Sequence, residues 1–220
     1  MESIVSGVGV VDKVAAVLNA VEADGASLAE LVGRTGLSRA TAHRLAMSLV
    51  AHGLLRRDAA GRFQPGLRLI ALGRAAADAL PLSAAARPAL ARLRDETGES
   101  AQLYVRQGER RVCVAAAESP HGLRTIVPEG ATLDLYRGSA GAVLRVDPIA
   151  AQQGWAESVG EREAGVASVS APVFDGEVIV AAVSVSGPLD RTGPHPGAVY
   201  AAAVVAAARQ IEQACGFTPR

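Results

Sequence analysis

SLAELVGRTGLSRATAHRLAMSLVAHGLLRRDAAGRFQPG, Ser27–Gly66, is the stretch that decides the fold. Ser27 with Glu30 three residues on has the spacing of a capping box, in which each side chain satisfies an orphaned N–H at a helix start. Leu28, Leu31 and Val32 give that helix one apolar face. Thr35-Gly36-Leu37 then breaks it, because Gly36 tolerates the left-handed backbone of a sharp turn and Leu37 can plug the corner. Ser38 caps a second helix to about His52, where Ala42, Leu45, Ala46 and Leu49 recur at i, i+3, i+4 and i+7. Arg39, Thr41, His43 and Arg44 fall on its other side. Gly53 ends this helix as a C′ glycine. Leu54–Arg57 and Arg62–Gln64 read as two short strands across the turn Asp58-Ala59-Ala60-Gly61, and Pro65-Gly66 closes the unit.

Upstream, Val10, Val14, Val17, Leu18 and Val21 predict a helix over about residues 10–23 that packs on the next two. Three helices and a hairpin make a winged helix-turn-helix. Downstream, Leu67, Leu69, Ile70 and Leu72 begin an Ala-rich helix to about Leu80, read as an interdomain connector and dimerisation element. Pro81 marks the next boundary, and a helix from Leu82 to about Thr97 follows. Pro88 inside it is expected to kink it or reset its start. Ala101–Arg106 with Arg111–Ala117, and Val166–Val173 with Val178–Ser186, predict two hairpins. In the second, alternating Ser and Val turns one face to a core and presents hydroxyls on the other. Gly138–Val146 reads as a loop entering a short helix, and residues 198–214 as a final helix. The expected fold class is α+β. Residues 1–66 form the winged unit, 67–80 the connector, and 81–220 an antiparallel α+β sensory domain.

Of the chain's 220 residues, half are hydrophobic but only 3% aromatic, so the cores must be built from Ala, Val and Leu. The zero net charge averages an uneven chain. From Arg34 to Arg74 there are eight arginines and one acid, Asp58, whereas residues 81–220 carry thirteen basic and fifteen acidic groups. A basic stripe confined to one domain points to a polyanionic partner for that domain. No apolar run approaches bilayer length, and no charged-then-apolar leader pattern opens the chain, so a cytoplasmic location and no membrane partner are expected. Cys113 and Cys215 are far apart without metal-type spacing and read as plain thiols. An enzyme is disfavoured. Gly7–Asp12 lacks the preceding strand and third glycine of a dinucleotide loop, no G-x-S-x-G occurs, and the four histidines are scattered. Glu157, Glu161, Arg162 and Glu163 read as a solvated turn. No catalytic residue, metal or cofactor is expected.

With these residues in view, the chain resembles the IclR family of bacterial transcription regulators from Val8 to roughly Glu212. The resemblance rests on Thr35-Gly36-Leu37-Ser38 leading into Thr41-Ala42-His43-Arg44-Leu45, and on Gly165–Pro172 followed by Ala181–Pro188. Ser6–Val10, Thr97–Gln102 and Ser158–Ser170 look most like an actinobacterial branch, the NdgR-like regulators of amino-acid biosynthesis such as the leucine pathway. The resemblance implies a winged-helix DNA-binding domain, a connector helix and a GAF-like effector domain. It also implies a homodimer, or dimer of dimers, on a palindromic double-stranded operator, with half-sites roughly 34 Å or a multiple apart. On this reading Ser38, Arg39, Thr41, His43 and Arg44 enter the major groove, while Arg56, Arg57 and Arg62 meet phosphates. Arg44→Ala is then expected to relax sequence preference, and Arg62→Ala to weaken all DNA binding.

For the small-molecule effector, an amino acid or small organic acid, the family's pocket maps onto Gly138 and Ser139, whose N–H groups can hold a carboxylate, and onto Ser168, Ser184 and Ser186. Ser158 falls where several relatives place an acid; a serine there removes a fixed negative charge, so an anionic or zwitterionic ligand is less disfavoured and a metal is less expected. Tyr104, Cys113 and Tyr136 are further candidates, equally readable as core or rim. One departure stands out. Between Val146 and Gly154 there are only seven residues, where relatives carry a longer helical segment over the pocket. Two readings stay open: a more open effector site, or a constitutive DNA binder whose C-terminal domain serves assembly alone.

Overall fold

A computed structural model describes residues 8–219 of the chain. The Ser6-Gly7 part of the opening stretch lies outside them. Contacts divide the chain into two compact units, the first up to Ala76 and the second from Ala77 on.

In the first unit, α1 (Gly9–Ala20), α2 (Leu28–Thr35) and α3 (Arg39–Ala51) precede a hairpin of β1 (Leu55–Arg57) and β2 (Phe63–Pro65). Each helix boundary has a local cause. The Ser27 side chain accepts from the Glu30 N–H at 3.3 Å and Glu30 Oε2 accepts from the Ser27 N–H at 2.7 Å, so the capping box is complete. Gly36 takes φ +67° and ends α2, and Ser38 caps α3. Val17, Val21, Leu31, Ala46, Leu49, Leu55 and Phe63 close one small core. Gly66 passes so close to the Gly53 carbonyl that a Cβ there would collide with backbone, which fixes the hairpin against the end of α3.

The Glu30 carboxyl is held far below the usual carboxylate range, at about 2, first by the Ser27 N–H and hydroxyl and then by Arg62, 3.0 Å away. Because the folded value lies below the unfolded one, Glu30 contributes fully above about pH 4.5 and loses its contribution as the pH falls towards 2. Urea titrations are expected to show wild type more stable than Glu30→Gln at neutral pH, with the gap closing through that acid window. A gap unchanged across it contradicts the assignment.

The connector α4 (Arg68–Asp78) contains the division between the units, and Leu67, Ile70 and Leu72 are exposed. The second unit runs α5 (Pro81–Thr97), β3 (Ser100–Gln107), β4 (Arg110–Ala117), β5 (Thr132–Asp134), α6 (Ser139–Leu144), α7 (Pro148–Gln153), β6 (Ala156–Val159), β7 (Val166–Asp175), β8 (Val178–Pro188), α8 (Leu189–Thr192) and α9 (Gly197–Cys215). Its antiparallel sheet has the order β5-β4-β3-β8-β7-β6. The period-two alternation of β7 and β8 splits the sheet chemically. Val169, Val173, Val183 and Val185 pack with Leu90 and Leu93 of α5 and Val204 and Ile211 of α9. On the other face Tyr104, Cys113 and Ala182 pack with Val143 and Leu144 of α6 and Ala150 of α7. Burial, and then the Glu129 charge, push the Cys113 thiol up to about 12, which keeps it protonated and unreactive. Glu99, 2% exposed and just before β3, accepts two bonds from Arg191 at 2.6 and 2.8 Å and ties the entry to β3 to α8.

Three expectations change. The start of helix α5 is not reset at Pro88: the helix runs from Pro81 to Thr97 through it, and Pro88 and Ala84, whose carbonyl goes without its helix bond, are both exposed to water. Residues 157–163 are not simply a solvated turn, since Glu157 lies in β6 and accepts from the Gly197 N–H at 2.8 Å. The short stretch after Val146 does form a helix, α7, capped by Asp147. Among the described residues no single helix is long and apolar enough to cross a membrane.

Candidate functional site

Helix α3 is anchored through Ala42, Ala46 and Leu49, which leaves its far side to solvent. Arg39, His43 and Arg44 are exposed there and make no hydrogen bond or ion pair to the protein among the described residues. Ser38 and Thr41 are engaged with each other: the Thr41 N–H donates to Ser38 Oγ at 3.3 Å, and the Ser38 hydroxyl donates to Thr41 Oγ1 at 2.9 Å. Their first task is therefore to start the helix.

The arginine stripe divides in the same way. Arg56 is exposed and unpaired. Arg57 donates from Nε and Nη2 to the Gly61 carbonyl and lies 5.3 Å from the Phe63 ring centroid, bracing the turn. Arg62 is paired with Glu30 and donates to the Gly25 carbonyl at 3.3 Å. Arg34 reaches the carbonyls of Ala20 and Gly25. Arg39, Arg44 and Arg56 thus present free guanidinium groups, suited to the paired acceptors of a base edge or to phosphate.

In the second unit a small cavity opens between the hydroxyl face of the sheet and the loop entering α6. Its walls include Gly138, Ser139, Ser158, Ser168, Ser184 and Ser186, together with Tyr104, Arg111 and Arg162. Register brings the serines together: Ser168 lies opposite both Ser186 and Ser158, and Ser170 opposite Ser184. Ser139 Oγ is 2.7 Å from Ser168 Oγ and 2.8 Å from Ser170 Oγ, Ser170 donates to Ser184 at 2.9 Å, and Ser186 donates to Gln102 Oε1 at 3.1 Å. The open space is about 20 Å³, enough for roughly one water. A separate cavity of about 160 Å³, beside α7, is lined mainly by apolar groups such as Val143, Val146, Ala150 and Ile179. Tyr136 is exposed, bonds Glu109, and is not among the pocket walls.

Two features of the pocket escaped the sequence reading. Arg111 is 3% exposed and donates from Nη1 to the carbonyls of Asp134 and Arg137, yet its Nε has no partner among the described residues. Burial, and then the nearby Arg162 charge, pull its pKa below the ordinary value, so the guanidinium gains from any anion placed beside it. The inward alternation of Arg111 with Cys113 and Ala115 was a legible signal for it. Second, the Gly138 N–H is not vacant, because Glu161 Oε2 accepts from it at 2.9 Å. No acidic side chain lines the cavity itself.

Comparison with known proteins agrees with both halves. The family described as IclR helix-turn-helix domain matches residues 10–59, and that described as Bacterial transcriptional regulator IclR C-terminal matches residues 74–147 and 148–213. The chain is 29% identical to the HTH-type transcriptional regulator KipR of Bacillus subtilis over 87% of its own length and 90% of that protein. It is 30% identical to the glycerol operon regulatory protein of Streptomyces griseus over 76% and 79%. An IclR homolog from Microbacterium hydrocarbonoxydans, solved with 4-hydroxybenzoate, shares the fold with a TM-score of 0.78 at 21% identity, covering 92% of this chain and 97% of that one. With both of its units matched in order, the chain belongs to the IclR family of transcription regulators, a DNA-binding protein with an effector-binding C-terminal domain and not an enzyme.

Proposed function

We propose that the exposed side of α3 reads an operator and that a small organic acid, held by its carboxylate at the Gly138 edge of the serine-lined cavity, modulates this binding. Arg39, His43 and Arg44 address base edges, with Ser38 and Thr41 shaping the helix start. Arg56 meets phosphate, and Arg57 and Arg62 stiffen the wing with outer donors left for the backbone. The observation that carries the sensing half is the buried Arg111 Nε without a partner. A desolvated guanidinium donor beside an array of hydroxyls is satisfied best by a carboxylate. An amino acid fits less well, since its ammonium would face Arg111 and Arg162, and the nearest acid, Glu161, stands at the cavity's edge and not in its wall. The solved homolog with 4-hydroxybenzoate, itself a carboxylate, supports that class. The resemblance to NdgR-like regulators adds amino-acid biosynthesis of the leucine type as the pathway to examine.

The exposed Leu67, just before α4, and Ile70 and Leu72 within it support assembly into a homodimer, which presents two recognition helices to a palindromic site, and such dimers can pair. Its place of work is the cytoplasm, beside its DNA. The ligand acts by binding two arrangements of the dimer unequally; equal affinity would shift nothing. A thermal-shift screen of small organic acids and amino acids, followed by DNA-binding anisotropy with each hit, tests the reading. One or more monocarboxylates are expected to raise the melting temperature and change DNA affinity. If no compound does either, the C-terminal domain serves assembly alone and the chain is a constitutive DNA binder.

A further inference from the structure

We infer that Glu161 is a built-in competitor of the effector: its carboxylate occupies the amide that an incoming carboxylate must take, so it sets both the affinity of the site and its selectivity for anions. This rests on the reading of the cavity as a carboxylate site. Glu161 Oε2 accepts from the Gly138 N–H at 2.9 Å, while Arg137 Nε donates to the Glu161 carbonyl at 2.7 Å and holds the segment over the loop. The protein thus already places an anion of its own at the cavity's edge.

The competitor is incomplete, and that makes it displaceable. Arg111 Nε, buried at the same cavity, stays without a partner while Glu161 holds Gly138. Arg111 Nη2 lies only 3.4 Å from where a Gly138 Cβ would stand, so one small carboxylate can span the Gly138 N–H and the guanidinium together. A ligand making both contacts displaces a side chain making one once its concentration offsets the tethered carboxylate's effective concentration. Glu161 itself is exposed and regains water on leaving. Its segment is bounded by Gly160 at φ +71° and Gly165 at φ +78°, and the next residue, Arg162, lines the cavity. Displacing Glu161 therefore moves the cation that faces the ligand, in one motion. A neutral analogue brings no charge to offset the bond it breaks, and is excluded.

The test titrates the full-length chain calorimetrically with acetate, and with acetamide as its neutral isostere. Glu161→Gln keeps the shape but weakens the competing acceptor, and is expected to bind acetate about tenfold tighter than wild type. Glu161→Ala should do the same if Gln proves unstable. In amide NMR spectra the Gly138 resonance is expected to move between wild type and Glu161→Gln without ligand, and to move in wild type on adding acetate. Equal or weaker acetate binding by both variants, with wild type still binding, overturns the competitor and leaves the effector site standing. An unmoved Gly138 resonance overturns the contact itself. No binding of acetate by wild type or variants overturns the carboxylate reading, and this inference with it.

Discussion

Arg44→Ala is expected to weaken binding to the preferred duplex by about 1–3 kcal/mol, roughly 5-fold to 150-fold, while binding to unrelated duplex falls far less. Two features of α3 lead there. Capping by Ser38 and the buried Ala42, Ala46 and Leu49 fix the helix rigidly on its small core. The Arg44 side chain is exposed and spends none of its donors on the protein. A fork of free donors on a rigid helix can take two acceptors of one guanine, and losing it loses information at one position of each half-site. Arg56→Ala makes the contrast: it should weaken all duplexes about equally and reduce the salt dependence by about one phosphate contact. Arg62→Ala mixes two effects, because Arg62 also ties Glu30 and Gly25 to the wing. Anisotropy titrations at two salt concentrations separate these outcomes. Equal losses for Arg44→Ala on preferred and unrelated duplexes contradict its place at a base edge.

Arg111→Met is expected to abolish the thermal response to carboxylates, with affinity falling about a hundredfold, as losses at buried charge-paired hydrogen bonds do. Met keeps an unbranched apolar stem beside Tyr104, so packing is largely preserved. The carbonyls of Asp134 and Arg137 lose their donor, and the unit is expected to be less stable by about 1–3 kcal/mol. DNA binding without ligand should survive, since α3 and its core belong to the other compact unit. A variant that melts lower yet still responds fully to acetate would make Arg111 a structural residue only.

Why some of this was legible in the sequence and some was not follows from the range of the interactions. Ser27 with Glu30, Gly36 and Ser38 act within four residues of themselves, and the helices they bound fall within a few residues of the expected limits. The Ser/Val alternation of β7 and β8 needs only the pleat, and it puts Ser168, Ser184 and Ser186 on one face. By contrast β5 and β6, of three and four residues, are defined by their neighbours in the sheet and carry too little pattern to stand out. The charged run at 157–163 hid three different jobs. Glu157 holds the start of α9, Glu161 holds Gly138, and Arg162 lines the cavity, through partners far along the chain. Arg57 and Arg62 likewise looked like Arg56 until the fold supplied carbonyls and a carboxylate for them.

The most direct test of the account is selection from a random duplex pool by the full-length chain, with wild type and Arg44→Ala side by side. Wild type is expected to enrich a two-fold symmetric motif, and Arg44→Ala the same motif with one position in each half degraded. If wild type enriches no motif, or if both proteins enrich an identical motif with equal affinity, the exposed side of α3 does not read DNA.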